Sequence, residues 1–109
     1  MQLLPDEMRA EIPALYSQEN VKTQEKIVYA KFFFPAVEWT WFVLEGKQET
    51  DDFVFFGFVI GFVEEWGYFT LNELEHINIE GLTVERDLHF KPSKFSDVIA
   101  QFRKECCVS

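Results

Sequence analysis

The 109 residues carry 19 acids against 10 bases, a net charge of −9, while 48% of positions are hydrophobic and 17% aromatic. That apolar content excludes a disordered chain in spite of the charge, and the length provides one core, so a single domain over residues 1–109 is expected. No apolar run reaches the ~18 residues of a membrane-spanning helix, and MQLLPDEMRAE opens with acids where a signal peptide is basic and then apolar. A soluble, cytoplasmic protein with no membrane partner is expected.

Charge is unevenly distributed. From Glu38 to Phe90 there are 12 acids against Lys47 and Arg86, a balance of −10, and the remainder has 7 acids and 8 bases, a balance of +1. Direct binding of DNA or RNA needs the opposite field, because its affinity comes from cations neutralising phosphates. The complementary partner is a basic, nucleic-acid-binding protein surface.

In chain order, Leu4, Met8, Ile12 and Leu15 fall on one face of a helix beginning at Asp6, which Pro13 should end near Ile12. Residues 17–26 are polar and read as a loop. Strands are predicted over 27–34, 38–46, 52–60 and 66–69, with Glu45 to Asp52 as the polar hairpin link and Glu64-Glu65 as a turn. The second and third strands are apolar on both faces, as expected of strands covered on both sides. Gly57 and Gly61 mark bulges or close approach. Thr70 and Glu73 form a capping box for a short helix, Gly81 lies in a turn, a fifth strand spans 84–90, and Ser93 caps a C-terminal helix. The resulting fold class is α+β: a mainly antiparallel sheet of about five strands, an N-terminal helix, a short helix after strand four and a C-terminal helix.

Candidate chemistry is sparse. Glu85, Asp87 and His89 share a strand face, yet nothing supplies a nucleophile, an oxyanion hole or a metal, so they read as a solvated face. Cys106 and Cys107 are adjacent, which strains a mutual disulfide, and neither they nor His76 and His89 have metal-ligand spacing. No catalytic residue, metal or cofactor is expected. The aromatic stripe reads first as core, with Trp66 and Tyr68 as the rings open to a partner or a homodimer interface. Carboxylates spaced along a rigid sheet approximate a nucleic-acid backbone and can occupy a basic channel meant for DNA or guide RNA. Glu45, Glu49, Asp51 and Asp52 at one hairpin end are the first candidate contact, and Glu64, Glu65, Glu85 and Asp87 the second.

The segments LLPDEMRAEIPALYSQENV, VYAKFFFPAVEWTWFVLEG, FFGFVIGFVEEWGYFTLNELE and GLTVERDLHFKP closely resemble the DUF2958 family of small bacterial proteins, over roughly residues 3–92. The resemblance implies residence on plasmids, phages and conjugative elements, carries no catalytic residues, and places the chain in or near a group of type II-A CRISPR-Cas9 inhibitors. Trp66 after Glu65 departs from the family's Glu-Leu pattern. The expectation is a non-enzymatic acidic inhibitor that blocks a basic surface on Cas9 or a Cas9–guide complex. The alternative is a mobile-element accessory scaffold acting through an aromatic surface.

Overall fold

Alternation of apolar residues writes two faces into the strands over residues 39–48 and 53–60, and both faces are largely covered. The computed structural model describes residues 2–106. Helix α1 (Asp6–Glu11) is followed, after a loop, by β1 (Ile27–Val28), β2 (Ala30–Phe34), β3 (Trp39–Gln48), β4 (Phe53–Ile60) and β5 (Glu64–Thr70). Then come α2 (Leu71–Glu75), the hairpin β6 (Asn78–Ile79) and β7 (Leu82–Thr83), β8 (Glu85–Arg86), β9 (Ser93–Lys94) and α3 (Phe95–Cys106). The main sheet has five antiparallel strands in the order β5-β4-β3-β2-β8. This is the α+β architecture expected from the sequence, with helices where they were predicted.

One face carries Phe32, Phe34, Trp41, Val43, Phe55 and Phe69 beneath the N-terminal segment and α2, which contribute Leu3, Leu4, Ile12, Leu71 and Leu74. We call this the front. On the back, Phe42, Leu44, Phe58 and Ile60 pack under α3 through Val98, Phe95, Ile99 and Phe102. Burying each Phe contributes about 1.5–3 kcal/mol, which is why so small a domain is so aromatic.

Gly57 is where the sheet could not accept any other residue: a Cβ there would lie 1.8 Å from the Phe42 carbonyl oxygen. It marks close approach, while the bulge lies instead between Val43 and Glu45 of β3. Several boundaries differ from the sequence reading. The 27–34 segment is two strands, because Val28 turns to the back core while Ala30, Phe32 and Phe34 face the front. Glu64 and Glu65 are strand, and the turn is 61–63. Only Glu85–Arg86 of the expected 84–90 strand pairs in the sheet. Ser93 sits in β9 and its hydroxyl donates to the Lys91 carbonyl, so it does not cap α3; the first α3 amide, Phe95 N–H, donates instead to Lys26 O at 2.7 Å. Thr70 does cap α2, accepting from Glu73 N–H at 3.1 Å. The β6–β7 turn has positive φ at Glu80 and Gly81, the signature of a type I′ hairpin. The Cys106 and Cys107 thiols lie outside the described residues.

Candidate partner-binding surface

The eight acids singled out in the sequence differ sharply in what they do. Glu45 is 4% exposed. The β3 bulge turns it to the back face beside Leu44, where its carboxylate accepts from Tyr16 N–H at 2.8 Å and Gln18 N–H at 2.9 Å. The Gln18 side chain, also buried, bonds Ile27 O, Ile27 N–H and Leu44 O. Together these two side chains tie the 14–18 loop to β1 and β3. The expectation that Glu45 offers its charge to a partner is therefore corrected: burial and two backbone donors commit it to the fold.

Asp52 is also occupied, accepting from Phe53 N–H at 2.7 Å and from Asn72 N–H, in the first turn of α2, at 2.9 Å. Desolvation raises its pKa, but these two amides and the Thr70 hydroxyl more than offset that, and the carboxyl lies below its ordinary value. Glu64 forms a two-pronged pair with Arg103 of α3, at 2.7 and 2.9 Å, and that guanidinium holds its pKa below the ordinary carboxylate value against slight desolvation. Asp87 faces Lys31 at 3.7 Å and accepts from His89 N–H. His89 itself is an exposed turn residue. Glu85 is half-buried opposite Phe33. Glu49, Asp51 and Glu65 are exposed, with no carboxylate partner among the described residues.

Topology separates the two groups. Glu49, Asp51 and Asp52 belong to the β3–β4 link at one end of the sheet, and Glu64 and Glu65 begin β5 at the other. That second end holds a cleft of about 910 Å³ between the 35–38 and 61–63 turns. Its walls are apolar: Trp39 and Trp41 stack with ring centres 6.3 Å apart on the front, and Phe102 closes the back. Gly61 makes this possible, because the Trp39 ring lies where its Cβ would be, at 2.4 Å. Phe62 then projects from the turn, 95% exposed, with its ring edge-on to Trp39 at 4.9 Å. Val37 and Ile79 in the same lining are exposed, as is Val63 next to Phe62 in the chain. Glu38 and the Glu64–Arg103 pair are the charged groups in the lining.

Sequence reasoning missed Phe62, which it left inside a strand-like apolar run. The available signal was its place between Gly61 and Val63 ahead of two acids, since an aromatic in a turn has no core to enter. Gln18 was missed for want of any local signal: its partners are distant in sequence. Trp66 and Tyr68 are exposed on the back of β5, as expected, at 37% and 55%. Among the described residues there is no group of three or more His, Cys, Asp or Glu placed to hold a metal, and no helix long and apolar enough to cross a membrane.

A doubly covered antiparallel sheet with an aromatic cleft at one end is the scaffold of a small α+β protein whose cleft is lined mainly by rings and other apolar side chains. The chain matches the model of the family described as protein of unknown function (DUF2958) over residues 3–106, and it belongs to that family. No curated protein and no solved structure matches it.

Proposed function

We propose that this chain is a non-enzymatic binding protein that seats its aromatic cleft on a basic, nucleic-acid-handling surface of another protein. The observation that carries this reading is Phe62, 95% exposed at the lip of an apolar cleft. An exposed ring beside an apolar recess is a place where burial against a partner supplies affinity, on the order of 1.5–3 kcal/mol for one Phe. The net charge of −9 and the carboxylates of Glu38, Glu65 and Glu85 toward the same end complement a cationic partner and speed its approach. Acids steer in this scheme, and rings hold.

Cas9, with or without guide RNA, is the first candidate partner, brought forward by the resemblance to mobile-element inhibitors. The test is a Cas9 cleavage assay with purified protein added before or after guide RNA across a salt series. Inhibition that weakens with salt and depends on order of addition supports a blocked nucleic-acid channel. Absence of inhibition at every order, with a salt-insensitive complex recovered from a host carrying the element, supports the accessory scaffold instead. The scaffold reading is favoured by one specific observation: four of the eight candidate acids, Glu45, Asp52, Glu64 and Asp87, already have partners within the fold.

A further inference from the structure

We infer that the outer edge of β5, which pairs with no strand among the described residues, pairs with the same edge of a second copy, joining two five-stranded sheets into one across a two-fold axis at Gly67. The two edges of the sheet are guarded very differently. On one side the edge strand β8 has 2 residues, whereas β5 on the other has 7 and runs in unbroken register with β4 from Thr70 to Glu64. Natural edges are usually blunted by shortness, Lys, Pro or a bulge. β8 uses the first device; β5 carries charge only at its first two residues, Glu64 and Glu65, and is neither short nor interrupted by Lys, Pro or a bulge.

The β5 sequence, Glu64-Glu65-Trp66-Gly67-Tyr68-Phe69-Thr70, is self-complementary in one register. Antiparallel neighbours in a sheet keep residues of the same face opposite each other, so the sum of paired numbers must be even. Centring on Gly67 uses the whole strand: Trp66 then faces Tyr68 of the second copy, Glu65 faces Phe69 and Glu64 faces Thr70. Moving the axis to Trp66 or Tyr68 loses the outer pairs. On the back face the exposed Trp66 and Tyr68 become cross-strand aromatic neighbours, the arrangement in which such pairs stabilise sheets. At the axis, a Gly67 Cβ would meet nothing within 4 Å, so the centre is open.

Charge chooses this occupant over a random strand. The acids fall at opposite ends of the paired ribbon: Glu64 lies about 20 Å from its symmetry mate and Glu65 about 14 Å, at ~3.4 Å per residue. Both exceed the screening length of about 8 Å at physiological salt, and Glu64 is already neutralised by Arg103. The remaining net repulsion between two acidic chains should fall with salt, so this association strengthens with salt, opposite in sign to the charge-steered binding above.

The test has two parts. Sedimentation velocity of the unaltered protein from micromolar to near-millimolar concentration should show a monomer–dimer equilibrium that shifts toward dimer at raised salt. In a background with Cys106→Ser and Cys107→Ser, Gly67→Cys exposed to oxidised glutathione should cross-link at least ten times faster than Asp51→Cys. Trp66→Cys mixed with Tyr68→Cys should likewise cross-link faster than either alone. A protein that stays monomeric throughout, or cross-linking at Gly67→Cys no faster than at Asp51→Cys, overturns the inference. The sedimentation result stands even if a cysteine variant folds poorly.

Discussion

Replacing Glu45 with Ala separates an acid that builds the fold from an acid that meets a partner. The substitution removes the carboxylate oxygens that accept from Tyr16 N–H and Gln18 N–H, at 2.8 and 2.9 Å, in a site where the side chain is 4% exposed. Hydrogen bonds to a charged group are each worth roughly 1.5–3 kcal/mol, and partial rehydration of the loop returns some of that, leaving a loss of about 3 kcal/mol. Tyr16 adds to the effect, because its φ of 71° places a bulky residue in the left-handed region and the carboxylate helps hold it there. For a domain of this size about 3 kcal/mol lowers Tm by on the order of 15 °C. Urea unfolding followed by tryptophan fluorescence should show the midpoint fall, with Glu45→Gln losing about half as much because one amide oxygen still accepts. Glu49→Lys and Asp51→Lys should stay within about 0.5 kcal/mol of the parent. A Glu45→Ala protein less than ~1 kcal/mol weaker would refute the anchoring role.

Other consequences follow from single contacts. Gly57→Ala should cost about 3 kcal/mol, at the upper end for overpacking, because its Cβ collides with backbone and no side chain can turn away; Gly67→Ala should be tolerated, and a chemical-denaturation pair compares them. Asp52 and Glu64 have folded pKa values below their ordinary values of 3.8 and 4.5. Their contributions are complete above those values and are lost as pH falls through the lower folded values, since the unfolded chain takes up protons first. Asp52→Asn should flatten the acid limb of a stability-versus-pH curve below pH 3.8. The Tyr68 pKa is raised by the Tyr16 hydroxyl, then by desolvation and by the nearby Tyr16, Glu45 and Glu19 charges. Its absorbance titration should move toward the ordinary tyrosine value in Tyr16→Phe.

The fold was legible where periodicity had a single physical meaning. Phe53, Phe55 and Val59 alternate against Phe56, Phe58 and Ile60, and no helix could bury both sets, so β4 and its two covered faces were readable directly. Pro13 and the Thr70–Glu73 pair announce helix boundaries through local chemistry. Failures came where long-range contacts override pattern. Nothing near Val28 indicates that β9 draws it away from β2, nor does anything near Glu64 announce that Arg103, in a different element, lets an acidic pair lie in a strand. The candidate site was half legible. Net charge identifies an acidic surface, but cannot distinguish the exposed Glu49 from Glu45, whose fate depends on a bulge and on a loop nearly thirty positions earlier in the chain. The cleft needed the three-dimensional meeting of Trp39, Gly61 and Phe62.

The most direct measurement is the affinity of parent, Phe62→Ser and Glu38→Lys proteins for purified Cas9, by interferometry, alongside their melting temperatures. Phe62 is solvent-exposed, so its variant should melt with the parent while binding falls roughly 10- to 100-fold, the equivalent of one buried ring. Glu38→Lys should slow association chiefly and reduce the salt dependence. Binding that is tight and indifferent to Phe62→Ser would contradict the cleft as the contact surface, and the absence of binding would remove Cas9 as the partner.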